Sequence, residues 1–129
     1  MSSQNHTGSC LSRTAAIAIA AAMLLVAACK SDWVDATIEN HTGNPVRQLE
    51  VNYPSASFGT NTLSPGNPMH YRFKIRGSGP IRVEFISQDG TTIHAQGLTL
   101  EEKQHGALVI RLLPHGKVEF IPSLQPASS

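Results

Sequence analysis

From Trp33 onward, apolar and polar residues alternate along most of the chain. This period of two places apolar side chains on one face of a strand and polar side chains on the other. The alternating segments are centred on residues 34–38, 49–53, 69–75, 81–85, 93–95, 108–112 and 118–120. A sheet with one apolar face must bury that face against a second layer. The pattern therefore predicts an all-β, two-layer structure.

The number and spacing of these segments refine the prediction. Short strands separated by Gly, Pro, Asn and Asp within about 100 residues are typical of a β-sandwich. We predict an immunoglobulin-like antiparallel β-sandwich of seven or eight strands over residues 33–121. The tail, residues 122–129, has no periodicity and is predicted to be flexible.

Matching apolar faces predicts the register of two hairpins, because residues opposite each other in an antiparallel pair share a face. In the first hairpin Phe85 should face Ile93, which leaves the loop Gln88–Gly90. In the second, Leu112 should face Val118, which leaves the loop Pro114–Gly116. Each loop ends in Gly, as expected for a type I turn followed by one left-handed residue.

The segment Leu98–Gly106 breaks the alternation. Thr99 and Glu102 have the spacing of a helical capping box, and Gly106 lies where a helix terminator belongs. We therefore predict one or two helical turns between two strands.

An apolar run, Ala15–Ala28, precedes the strand region and contains fourteen residues without a polar side chain. A helix needs about 20 apolar residues to cross the hydrocarbon of a bilayer, so this run is too short to span it. A basic residue before the run, Arg13, and small residues at its end are typical of a secretory signal peptide. We predict that residues 1–28 are removed after export.

The end of the run carries a second motif. Val26-Ala27-Ala28-Cys29 resembles the lipobox of bacterial lipoproteins. The resemblance implies that the Cys29 thiol receives a diacylglycerol and that Cys29 becomes the amino terminus, with residues 29–32 as a short tether. Lys30 follows the cysteine, which in Gram-negative lipoproteins favours sorting to the outer membrane. The expected location is the bacterial cell envelope, on the outer membrane and facing the periplasm, in the manner of small lipoproteins with one immunoglobulin-like domain.

Basic side chains concentrate on two consecutive predicted strands: His70, Arg72, Lys74, Arg76 and Arg82. If these strands pair, Arg72 faces Glu84 while Lys74 faces Arg82, and a net positive patch remains. Such a patch would suit anionic headgroups or an acidic cell-wall polymer. The alternative is a solvated outer face that discourages edge pairing.

A second candidate surface includes Tyr53 and Phe58, which lie among small polar residues. Their rings could bind the apolar faces of a saccharide. Alternatively, Tyr53 closes a core strand and Phe58 packs where the chain crosses between sheets.

Other function classes lack their signals. The net charge of +1 provides no concentrated basic surface for nucleic acid. The histidines of the mature chain are too far apart for local chelation: His41, His70, His94, His105 and His115. Nucleophile elbows and phosphate loops are absent, and the adjacent Glu101 and Glu102 would diverge on a helical turn. We therefore expect no metal, no cofactor and no catalysis.

Two function hypotheses follow. The first is a lipid-anchored structural or interaction module of the envelope, with an envelope protein or cell-wall polymer as partner. The second is an envelope binding protein for a saccharide or another small ligand.

Overall fold

The computed structural model describes residues 32–127, which form eight strands; the predicted signal peptide and Cys29 lie outside these residues. The strands are β1 Trp33–Asn40, β2 Val46–Tyr53, β3 Ala56–Leu63, β4 Met69–Lys74, β5 Gly79–Ile86, β6 Thr92–Leu100, β7 His105–Leu113 and β8 Lys117–Gln125.

The strands form two sheets of four, ordered β4-β1-β7-β8 and β3-β2-β5-β6. The all-β sandwich prediction is thus confirmed. Neighbouring strands are antiparallel except for β1 and β7, which are parallel, so the expectation of a wholly antiparallel sandwich was wrong for one pair. In immunoglobulin domains the first two strands are neighbours. Here they lie in different sheets, so the likeness to those domains concerns the two layers rather than the strand order.

The core lies between the sheets and is built by the alternation seen in the sequence. Val34, Ile38, Val51, Phe85 and Ile110 are all at most 1% exposed. Burial of such side chains contributes roughly 1.5–3 kcal/mol each relative to exposure. Both layers supply core residues, so neither sheet is stable without the other.

Asn40, at the end of β1, is the buried polar residue of the described chain. Its Nδ2 donates to the carbonyl oxygens of Asn44 and Leu63, each at 2.8 Å. Its Oδ1 accepts from the backbone N–H of Thr42 at 2.9 Å and from the Thr42 hydroxyl at 2.7 Å. Asn40 therefore ties β1 and the loop after it to the end of β3 in the other sheet.

Both hairpin registers are confirmed. Phe85 faces Ile93, and Leu112 faces Val118. In the first loop only Gly90 has a positive φ, as expected. In the second loop His115 and Gly116 both have positive φ, so the prediction of a single left-handed residue was wrong there.

The predicted helical turns over Leu98–Gly106 were wrong. β6 continues to Leu100, which is fully buried, and a short turn leads into β7 at His105. The cause is a register shift between β5 and β6 that changes the phase of alternation near Gly97. Such an irregularity interrupts the period of two without ending the strand.

Two further expectations were wrong at the ends of elements. Residues 122–125 do not form a flexible tail, because β8 pairs with β7 up to Gln125 and Leu124 packs against the core.

Phe58 does not lie at a crossover between sheets, because β2 and β3 form a hairpin within one sheet. Its turn is Pro54-Ser55, and the positive φ of Ser55 suits the second central residue of a type II turn.

Candidate functional site

The predicted basic patch is divided by the topology. β4, which carries His70, Arg72 and Lys74, pairs with β1 and not with β5. Arg82 lies on β5 in the other sheet, where it faces Asn52 and Gln96. The assumed strand pairing was therefore wrong, and Arg82 does not join the other cations.

Pairing with β1 gives the β4 cations a neighbour that the sequence interpretation did not single out. Trp33 faces Lys74 across the two strands. The Trp33 ring centroid lies 4.9 Å from Lys74 Nζ and 5.0 Å from Arg72 Cζ. Cation–π contacts at exposed sites contribute about 0.5–1 kcal/mol each. Arg72 also approaches Asp35, with 3.4 Å between Nε and Oδ1.

The aromatic candidates lie on the inner side of the same edge. β3 and β4 are edge strands of their sheets, and the aromatic rings of β4 meet Phe58 of β3 and Tyr53, the last residue of β2, across the sandwich. Tyr53 stacks on Phe73 with centroids 4.1 Å apart, and Phe58 stacks on Tyr71 at 4.2 Å. Phe58 is only 7% exposed, so it offers no free face to a ligand, whereas Tyr71 is 39% exposed. Burial raises the pKa of Tyr53 above its usual 10.0, and Tyr71 adds to this effect.

Residues from both sets line one groove of about 480 Å³. We call it the edge groove, and its principal residues are Trp33, Tyr53, Tyr71, Arg72, Lys74 and Arg76. No carboxylate is among its lining residues. Two acids of the nearby β6–β7 turn already accept hydrogen bonds. Glu101 accepts from the Ser78 hydroxyl, and Glu102 accepts from the Gly77 N–H.

The structure thus brings together the two candidate sites that the sequence treats as separate. Tyr53 from the aromatic candidate and Arg72, Lys74 and Arg76 from the basic one share the edge groove. His70 lies further along β4, with its Nδ1 3.2 Å from the Thr37 hydroxyl. In the sequence, Trp33 is distinguished only as the first residue of the alternating region. Its contact with the cations could not be predicted, because that contact depends on the pairing of β1 with β4.

A larger cleft, of about 610 Å³, lies at the other end of β1. We call it the distal cleft; its walls include the loops 87–91 and 114–116, and Phe85 and Ile93 are among its lining residues. Asp89 lies on its lining and accepts hydrogen bonds from the Ser87 hydroxyl and the Thr91 N–H. These bonds lower the pKa of Asp89 below its usual 3.8. Sequence reasoning assigned these residues to turns and missed the cleft.

A charged cluster covers the outer face of the β1 sheet away from the edge groove. Glu39 Oε1 lies 3.0 Å from His41 Nε2 and accepts from Arg111 Nε at 2.9 Å. The hydrogen bond with His41, and next the one with Arg111, lowers the pKa of Glu39 below its usual 4.5. Arg111 also contacts Glu119, at 3.3 Å. All four groups are on the surface, so we interpret them as a structural network across three strands.

Within residues 32–127, no group of three or more His, Cys, Asp and Glu side chains converges as a metal site would require. The same residues contain no helix with the length and apolar character needed to cross a membrane.

Comparison with known proteins adds a fold likeness. No family model matches the chain, and no curated protein is similar to it in sequence. Among solved structures, it is similar to an NMR structure of a protein from Eubacterium rectale, with a TM-score of 0.52 and 16% identity. The match covers 71% of this chain and 89% of that chain. At this identity the likeness shows the fold alone.

Proposed function

We propose that the chain is a lipid-anchored, non-enzymatic interaction module of the bacterial cell envelope, held on the outer membrane and facing the periplasm. The observation that carries this proposal is the lipobox-like Val26–Cys29, which ends four residues before Trp33, the first residue of β1. Two or three acyl chains provide durable membrane attachment, whereas one provides marginal attachment.

The architecture of the domain supports an interaction role. Its apolar side chains fill the space between the sheets, and the edge groove and distal cleft lie on the surface of this framework. In most pre-organised complexes the interface backbone moves by about 1 Å or less on binding. An envelope protein or a cell-wall polymer is the partner class we expect for such a module.

The test of the anchor is mass spectrometry of the full chain expressed in a Gram-negative host. We expect the tryptic peptide Cys29-Lys30 to carry diacylglycerol and to begin the mature chain. Cys29→Ser should abolish membrane attachment, whereas Cys10→Ser, the matched control at the other cysteine, should not affect it. An unmodified Cys29 thiol, or an intact leader on the native protein, would contradict the proposal.

A second candidate function, binding of a small ligand such as a saccharide, is favoured by the distal cleft. Ligand sites are typically concave, about 300–1,000 Å³ in volume, and mostly apolar with a few polar groups. The cleft has this size, and it combines the partly exposed Ile93 and Leu113 with the exposed Asp89 and His115. The surface first expected to bind a ligand is less suitable, because Tyr71 covers Phe58.

Titration with cell-wall saccharides, followed by NMR, tests this second function. Bound ligand should shift signals from the loops 87–91 and 114–116. Thr91→Trp should block the cleft and remove these shifts, whereas Thr62→Trp, an exposed position on β3, should preserve them. Shifts that persist in Thr91→Trp, or that occur elsewhere in the domain, would exclude the cleft as the site.

A further inference from the structure

We propose that the edge groove binds the anionic phospholipid headgroups of the leaflet that holds the anchor. This inference rests on the proposed lipidation of Cys29. It assigns a partner to the groove and determines which end of the sandwich faces the lipid.

The length of the tether is the first argument. Four residue steps separate Cys29 from Trp33, and a fully extended chain covers at most about 14 Å over that distance. Trp33 itself lines the groove. Lipidation would therefore hold the groove close to headgroups at a high effective concentration, so contacts that are weak in solution become sufficient.

Charge is the second argument. The groove contains three cations, Arg72, Lys74 and Arg76, and all three are exposed. Of these three cations, only Arg72 forms an ion pair with an acid of the described residues, namely with Asp35. Lys74 and Arg76 are thus available to phosphate groups, and the nearby Glu101 and Glu102 are already hydrogen-bonded to the 77–78 segment.

The aromatic residues are the third argument. Trp and Tyr concentrate at membrane–water interfaces, where an apolar ring and a polar tip are both satisfied. Trp33, Tyr53 and Tyr71 line the same groove as the cations. The distal cleft lies at the opposite end of β1, roughly 25 Å away for an eight-residue strand, and would face away from the lipid.

Trp33 is the only Trp of the chain, so its fluorescence reports on the groove alone. The lipidated full-length mature protein would be reconstituted into vesicles with brominated acyl chains. One set would contain phosphatidylglycerol and phosphatidylethanolamine, and the other only phosphatidylcholine. We expect a blue shift and strong quenching in the anionic vesicles, weaker effects in the neutral ones, and reversal by high salt.

A pair of charge-matched variants tests the role of the cations. Arg72→Glu combined with Lys74→Glu should remove most of the quenching, because each cation near an anionic surface contributes roughly fivefold to binding. The control combines Arg47→Glu with Lys117→Glu, two exposed cations outside the groove. It has the same net charge and should retain the quenching of the parent protein.

The outcomes separate this inference from the anchor. Mass spectrometry of the same preparation reports on Cys29. If Cys29 carries lipid but quenching is equal in both vesicle types, or equal in both variants, the headgroup contact is refuted and the anchor stands. If Cys29 carries no lipid, both proposals fail. An emission shift caused by a soluble acidic polysaccharide, with none on anionic vesicles, would assign the groove to a polymer instead.

Discussion

Replacing Asn40 by Asp should strongly destabilise the domain, although the two side chains have nearly the same shape. Asn40 Nδ2 donates to the carbonyl oxygens of Leu63 and Asn44 at 2.8 Å. A carboxylate has no hydrogen to donate, so these carbonyls would lose their partner and would face a negative oxygen. The side chain is only 6% exposed, so water cannot easily replace the lost donor.

The expected magnitude follows from the burial of the two carbonyls. A buried polar group left without a partner costs about 1–3 kcal/mol, and the Leu63 bond is the more deeply buried of the two. We expect a loss of about 3 kcal/mol in the free energy of unfolding. For a domain of this size that corresponds to a fall in Tm of roughly 12–24 °C.

Thermal unfolding followed by circular dichroism measures this change, with Asn44→Asp as the matched control. Asn44 is exposed and contributes only backbone groups to the network. Lower pH should reduce the penalty at position 40. The folded environment raises the pKa of the introduced carboxyl, so the penalty is full above the folded pKa and declines as pH falls toward the unfolded pKa. Equal Tm shifts for both variants, or a penalty at position 40 that is independent of pH, would refute this reasoning.

Three further predictions concern other parts of the sandwich. Gly97→Val should destabilise the domain by about 1–3 kcal/mol in denaturant unfolding, because a Cβ there would lie 2.7 Å from the Phe120 ring. The pKa of Glu39 is lower in the folded than in the unfolded chain, so the stability that Glu39 contributes is present above about pH 4.5. This stability is lost as pH falls through the folded pKa, so Glu39→Gln should reduce the pH dependence of the free energy of unfolding in the acid range. Truncation after Ile121 should lower Tm because it removes paired residues of β8, whereas truncation after Gln125 should leave Tm unchanged.

Much of the fold could be predicted from the sequence because alternation is a local property. Phe85 and Ile93 could be matched across a hairpin since only three residues form the loop between Ser87 and Thr91, which limits the possible registers. The same reasoning failed near Gly97. There the irregular register between β5 and β6 interrupts the apolar–polar alternation, and the interruption was interpreted as the start of a helix. It failed again at β8, because Pro122 interrupts the alternation and was taken as the start of the tail. In the structure Pro122 lies within β8 and pairs with Leu108.

The candidate site was predictable only in parts. Arg72, Lys74 and Tyr53 could be singled out because each is conspicuous within its own segment. The edge groove that contains them could not, because it depends on which strands are neighbours. Arg82 was grouped with the wrong cations for the same reason, since adjacency along the chain was taken for adjacency in a sheet.

The sequence by itself determined the quantities that local chemistry controls: strands with one apolar face, the short loops between hairpin strands, and the lipobox-like motif that predicts an anchor at Cys29. Tertiary structure alone decided that β4 lies beside β1, that β1 runs parallel to β7, and that Trp33 therefore stands among cations. The physical reason is that a single strand can bury its apolar face equally well beside many different neighbours, so its own sequence does not select one strand order. Only the packing of all eight strands together, with every edge and core position filled at once, selects one of them.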